Sequence, residues 1–216
     1  LEELEVPYEV KRYERDKKTM LAPPALKLVH PLGKSPVITD GDVTVAESGA
    51  IMEYIVDRYG QGRMAPAAGT PERLRYTYWM HYAEGSLMPL LVMKLVLSRV
   101  PQAVPWIVRP VARAIVGGIE SLYLGPNLKL QLDYLEAELG KSEWFAGKEL
   151  FAADVQMSFP IEAAAARGEA GTARPRLALV SPLAGGPRGR GFGDPAFLRA
   201  LARWYAIDVV TDRVPA

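Results

Sequence analysis

A small α/β unit followed by an all-helical unit is the layout that this 216-residue sequence predicts. Three observations carry it. Strand-type alternation and an Asp40-Gly41 hairpin signal stand near the start. The apolar spacing turns helical at Glu47. A short Gly-, Ala- and Pro-rich linker at 61–69 follows, and beyond it every strong signal is helical. The expected domains are 1–62 and 70–216.

Taken in order, Leu1-Glu2-Glu3-Leu4 reads as the end of a helix, since no cap or start signal precedes it. Pro7-Tyr8-Glu9-Val10-Lys11 alternates in period two and predicts a strand. Pro23-Pro24 ends one segment or opens the next. Val37-Ile38-Thr39 and Asp42-Val43-Thr44-Val45 flank Asp40-Gly41 as the arms of a hairpin. Ile51, Ile55 and Tyr59 then share a helical face, with Gly60 as the stop. Thr70-Pro71 is a cap followed by a first-turn proline. Its apolar pattern runs past Leu95 and should bend at Gly85 and Pro89. Leu128, Leu132, Leu135 and Leu139 form a further stripe, closed by Gly140, and 152–166 is another helix.

Composition excludes several classes of function. With 26 basic and 25 acidic residues the net charge is +1, which argues against a dedicated nucleic-acid binder. No cysteine is present, so disulfides and thiolate chemistry within this chain are out. No metal-ligand cluster stands out. The first residues carry no signal-peptide pattern. The most apolar run, 87–100, is broken by Pro89, Lys94 and Ser98 and is too short to span a bilayer.

The chemistry concentrates between His30 and Ile51. A helix N-terminus offers unpaired N–H groups and partial positive charge, so it holds a carboxylate without a cationic side chain. Glu47 and Ser48 stand at such a start. Ser48 adds a hydroxyl for the carboxylate, and Glu47 answers an adjacent ammonium group. Together they suit the amino-acid end of a small zwitterion. If the Ser35–Pro36 bond is cis, the Ser35 backbone turns outward and can pair with a peptide-like ligand. Lys34 supplies a cation for a second carboxylate. Taken singly, each residue has a plainer role: Ser48 as a cap, Pro36 as a strand-start proline, Lys34 as a solvated charge.

Together, His30-Pro31-Leu32-Gly33-Lys34-Ser35-Pro36-Val37-Ile38 and Glu47-Ser48-Gly49-Ala50-Ile51 closely resemble the glutathione site of cytosolic glutathione S-transferases, in particular the bacterial and fungal serine-type branch. The resemblance implies a thioredoxin-like α/β N-terminal domain with a cis proline at Pro36 and an all-α C-terminal domain with an acceptor pocket. It implies that Glu47 and Ser48 hold the γ-glutamyl group, Ser35 pairs with the cysteinyl backbone, and Lys34 meets the glycine carboxylate. His30 either meets the tripeptide or ends a turn. The implied reaction is conjugation of the glutathione thiolate to small apolar electrophiles, a detoxification chemistry. Glutathione would be the co-substrate, with no metal, no nucleic acid and no membrane partner. A cytoplasmic homodimer built on helices around 74–100 is implied as well. A glutathione-dependent peroxidase or reductase, or a non-catalytic glutathione-binding protein, is the alternative on the same fold.

The resemblance extends to Trp144-Phe145-Ala146-Gly147 and to the run from Ala152 to Ser158, where Asp154 would bond backwards to loop amides and fix a helix start. Three departures stand out. Leu1-Glu2-Glu3-Leu4 corresponds to the family's first helix, so the first strand and the activating residue are expected upstream of Leu1, which would leave the sheet with an exposed edge. Phe151 stands where the family has Ser or Thr. Residues 168–193 lack helical period and read as a loop or a frame-shifted stretch. Arg188 and Arg190 read as flexible loop. His81 reads as a packed or half-exposed helix residue rather than a metal ligand, Met88 and Met93 as core or pocket fillers, and Tyr78, Tyr82 and Trp106 as core or pocket wall.

Overall fold

The computed structural model describes residues 1–14, 16, 21–166 and 207–211, with 166 and 207–211 described by their backbone alone. The chain divides into two compact units, Leu1–Ala68 with Arg190–Ala216, and Gly69–Gly189.

The first unit is an α/β layer. A 3-10 turn, Glu2–Leu4, leads into β1, Glu9–Tyr13, and then α1, Pro24–Val29, begins at the second proline of the Pro23-Pro24 pair. The hairpin of β2, Val37–Asp40, and β3, Val43–Ala46, runs into α2, Ser48–Tyr59. The last described segment is β4, Ile207–Thr211. The sheet order is β1-β4-β2-β3. Adjacent residues of β2 face opposite sides of the sheet, as a pleated strand requires. Val37 packs with Tyr13 and Leu26 of α1, and Ile38 packs with Leu4, Ile51 and Ile55 of α2. One strand thus anchors two core clusters, which fixes the hairpin between the helices.

β4 corrects the expectation of an exposed edge and of a purely helical 70–216. It lies between β1 and β2, antiparallel to the first, with Glu9 opposite Thr211, and parallel to the second, with Val37 opposite Val209. Both its edges are paired, so the inner edges of β1 and β2 are covered. The reason is compositional: Ile207, Val209, Val210 and Thr211 are β-branched, a composition that suits a pleated strand better than a helix.

Two smaller corrections follow from local geometry. The hairpin loop is Gly41-Asp42, one residue later than expected, because Asp40 pairs with Val43 and closes β2. Gly41 takes φ 58°, the positive value that two-residue hairpin loops require at their first position. Gly60 ends α2, yet with a right-handed φ of −68°. A Cβ at Gly60 would stand 2.3 Å from the Val56 carbonyl oxygen, so close approach rather than a left-handed turn selects glycine.

The regular elements of the second unit's described part are all helical, with an irregular connection over 140–151. α3, Pro71–Tyr82, begins as expected, with the Thr70 side chain accepting a hydrogen bond from the Arg73 N–H at 3.2 Å. A π turn at Ala83–Leu87 joins it without a break to α4, Met88–Ala103, so the wider turn stands just before Pro89, where the proline's missing N–H interrupts the helical hydrogen bonds. After a 3-10 turn, Trp106–Val108, come α5, Arg109–Ile119, a second π turn, Glu120–Leu124, α6, Gly125–Leu139, and α7, Ala152–Ala166. The core gathers Tyr76, Trp79, Leu87, Leu91, Leu128, Leu135, Met157 and Ile161, all fully buried or nearly so. Trp79 sits among Tyr78, Tyr82, Tyr134 and Phe145, with ring centroids 4.6–5.6 Å away.

Polar groups lock this core. Arg75 donates to Glu138 at 3.0 Å and to the Phe145 carbonyl at 2.8 Å, joining α3 to α6 and to the loop beyond it. Lys141 completes the pair at 2.6 Å, and these two cations hold the Glu138 carboxyl below its usual range, Lys141 first. The ambiguous residues separate. Tyr82 is buried and donates to Gln131, while Tyr78, Met93 and Trp106 are exposed, Met88 is half-buried and His81 is exposed. Met93 is therefore not a core filler. Residues 168–193 lie outside the described residues.

Candidate functional site

The two segments that carry the residues singled out between 30 and 48 adjoin the same end of the β2–β3 hairpin. Val37 pairs with Ala46. That is the last pair of the ladder, so the chain at Pro36 and the chain at Glu47 leave it from the same end, and Ser48 opens α2 one residue on. Opposite residues of an antiparallel pair have Cα atoms about 4.5–5.5 Å apart, so two segments far apart in sequence become neighbours. The Ser35–Pro36 bond is cis. Lys34 follows Gly33 in the loop and is exposed.

α1 positions the other end of this loop. The His30 N–H donates to the Leu26 carbonyl at 3.1 Å, and the Gly33 N–H donates to the His30 carbonyl at 2.8 Å. Gly33 is buried with φ 55°, and an added Cβ would lie 2.9 Å from the Lys27 side chain. Only glycine makes that turn without strain. His30 Nδ1 is buried and has no hydrogen-bond partner among the described residues. A buried ring nitrogen ordinarily has one.

Glu47 is the cap residue of α2 and is exposed, with φ 74° and ψ 125°. A non-glycine residue held there costs roughly 1–3 kcal/mol. Its carbonyl accepts from the Ile51 N–H at 2.9 Å, but its side chain makes no cap hydrogen bond. The Glu47 carboxylate therefore does not cap its own helix, and the first-turn N–H groups lie at a helix end whose partial charge favours an anion.

One contributor escaped the sequence reading. Asp40 at the far end of β2 accepts hydrogen bonds from Tyr54, at 2.8 Å, and from Tyr59, and pairs with Arg58 at 3.1 Å. Burial, then the bond to Asp40, raises the Tyr54 phenol above its usual range. This brace ties the second half of α2 to the hairpin turn and so sets where the N-terminus of α2 stands. The sequence shows the residue types but no spacing rule that pairs them.

Asp154 belongs to the second unit and has a separate task. Its carboxylate accepts from the Phe145 N–H at 2.8 Å and from the Phe151 N–H at 2.9 Å, and it is fully buried. Burial pushes its pKa up to about 6, against the two amide bonds that favour the charged form. Among the described residues no group of His, Asp and Glu is arranged to hold a metal ion.

A thioredoxin-like α/β unit with a proline-ended loop beside a helix N-terminus, followed by an all-α unit, defines a class of thiol-tripeptide enzymes. Residues 1–57 match the family described as Glutathione S-transferase, N-terminal domain. The chain is 44% identical over 164 residues to glutathione S-transferase 3 of Schizosaccharomyces pombe, covering 76% of this chain and 67% of that protein. It is 32% identical over 172 residues to glutathione S-transferase 1 of Saccharomyces cerevisiae, covering 76% and 73%. A solved glutathione S-transferase of Actinobacillus pleuropneumoniae superposes with TM-score 0.67 at 28% identity, over 96% of this chain and 86% of that one. The chain belongs to the glutathione S-transferase family, and glutathione transfer is the activity this membership assigns to it.

Proposed function

We propose that glutathione lies along the base of the β2–β3 hairpin and that its thiolate is conjugated there to a small apolar electrophile. The observation that supports this reading is the Val37–Ala46 pair, since the Ser35-Pro36 loop end and the start of α2 at Glu47-Ser48 both adjoin that end of the hairpin. The γ-glutamyl carboxylate takes the N-terminus of α2 and the Ser48 hydroxyl. Its ammonium group faces the Glu47 carboxylate. The Ser35 backbone pairs with the cysteinyl residue as a short strand would, Lys34 answers the glycine carboxylate, and His30 Nδ1 gains a partner that it lacks among the described residues.

Held this way, the sulfur reacts as an intramolecular group rather than by free encounter. The thiol, with an ordinary pKa near about 8.5, gives up its proton to solvent water. The thiolate electron pair then forms the S–C bond as the leaving group departs with its own pair. The second unit supplies the apolar acceptor pocket in this reading. The domains are 1–62 and 70–216, with β4 returning to the first. The cytoplasm, with its glutathione pool, is the compartment proposed. A two-fold homodimer uses the helices around 74–100, where Leu74 and Tyr78, one turn apart on α3, are both exposed. Light scattering should give twice the chain mass, and a monomer at micromolar concentration would remove the dimer.

Titration calorimetry with glutathione tests the cradle. Ser48→Ala should weaken binding by the roughly 1.5–3 kcal/mol of one charge-assisted hydrogen bond. Unchanged affinity would take Ser48 out of the site.

A further inference from the structure

One strand holds the two halves of the first unit's sheet together. In the order β1-β4-β2-β3, β1 and β2 hydrogen-bond to β4 and not to each other. The antiparallel seam of β4 with β1 runs over five pairs, from Glu9–Thr211 to Tyr13–Ile207. Its parallel seam with β2 has two, Val37–Val209 and Ile38–Val210. Parallel pairing is also slightly weaker per residue than antiparallel pairing. The sheet is therefore weakest at the β2–β4 seam. That seam begins at Val37, the residue that follows Pro36.

Val37 is fully buried and Ile38 nearly so. The first packs with Tyr13 and Leu26, the second with Leu4, Ile51 and Ile55. Withdrawing β4 leaves their inner backbone groups unpaired between the two clusters, a state that folded chains avoid. Yet β4 follows β2 only after the whole helical unit. Pairing at such separation must first overcome the entropy of closing a long loop. The local signals that form β2, β3 and α2 therefore do not by themselves secure the seam that Val37 needs.

We infer that insertion of 207–211 between β1 and β2 is a conformational device that sets the affinity for glutathione. With β4 in place, Val37 is paired on both sides, with Ala46 and with Val209, and the Ser35-Pro36 loop end leaves a fixed anchor. With β4 withdrawn, Val37 keeps one strand partner and the anchor loosens. The inference rests on the placement of glutathione along that end of the hairpin. A ligand that binds only the inserted state favours insertion, and its apparent affinity scales with the fraction of chains that hold the strand. The hairpin and α2 carry the proposed contacts, and a segment that supplies none of them controls whether they are ready.

Hydrogen exchange of the full chain, read by mass spectrometry with and without saturating glutathione, tests this. Amides of 207–211 and 37–40 should be protected, and glutathione should slow both segments together by about fivefold or more. Val209→Gly weakens the strand but keeps its N–H. It should speed exchange in both segments, and excess glutathione should restore the wild-type rates. Val209→Pro removes an N–H from a strand paired on both sides. It should weaken glutathione binding by about tenfold or more in calorimetry, with the helical circular dichroism kept. If the proline variant does not fold, the glycine variant and its restoration by glutathione decide the matter. Exchange in 207–211 that ignores bound glutathione would overturn the inference and leave the glutathione site standing, as would undiminished affinity in Val209→Pro. A wild-type chain that binds no glutathione in calorimetry would remove the site, and this inference with it.

Discussion

Val37 and Ala46 pair across the hairpin as the last pair of the ladder, so Pro36 and Glu47 leave the sheet from the same end. The strand ends do the positioning, so the proposed glutathione contacts depend on backbone register more than on side-chain reach. A register held by two buried residues of β2, each in a different core cluster, does not slip without turning an apolar side chain outward.

Glu47 should show a trade between stability and function. Its φ of 74° suits glycine better than any side chain. Glu47→Gly is expected to raise the thermal midpoint, or at least not lower it, because relieved strain of about 1–3 kcal/mol exceeds the chain-entropy cost of about 0.5–1 kcal/mol. The same variant should weaken glutathione binding in calorimetry. A gain in both stability and affinity would show that the carboxylate has no part in the site.

Lys34 is exposed, so the attraction proposed between it and the glycine carboxylate is subject to solvent screening. Lys34→Ala should cost at most about 1 kcal/mol, roughly fivefold in KM, with kcat unchanged. The loss should fade as ionic strength rises. A fall in kcat with KM unchanged would place Lys34 at the reacting centre instead.

Asp154 sets a pH dependence in the helical unit. Its pKa rises from the ordinary 3.8 to about 6, so the folded chain holds this proton where the unfolded chain has released it. Its contribution is fully present below 3.8 and is lost as pH rises through about 6, a change of about 3 kcal/mol. Denaturant melts across that window should show the decline in the wild type, and Asp154→Asn should remove the slope. Asp154→Ala, which strips two buried amides of their acceptor, should cost about 2–5 kcal/mol at any pH.

The Arg75–Glu138 pair acts in the opposite sense. The Glu138 carboxyl is held below its ordinary 4.5, so its contribution is present above that value and is lost as pH falls through the depressed one. Arg75→Met should lower the thermal midpoint at neutral pH by about 1–3 kcal/mol of stability, since Glu138 and the Phe145 carbonyl both lose a donor. The gap between variant and wild type should narrow as Glu138 becomes protonated. A gap independent of pH would assign the effect to packing alone.

Much of this was legible in the residues themselves. The hairpin around Gly41, the cap at Thr70 and the glycine stop at Gly60 rest on local chemistry, where two to four residues decide a backbone state. The candidate site was legible for the same reason, since Ser35-Pro36 and Glu47-Ser48 each mark the end of an element. The sequence alone did not place β4 between β1 and β2, because strand pairing at such separation has no local signal beyond β-branched composition. Nor did it pair Asp40 with Tyr54 and Tyr59, or separate buried Tyr82 from exposed Tyr78, Met93 and Trp106. Those outcomes depend on which helix faces find partners, and apolar spacing marks a face without saying what covers it. The tertiary structure decided them because packing is a property of pairs of elements, and each element carries only its own half.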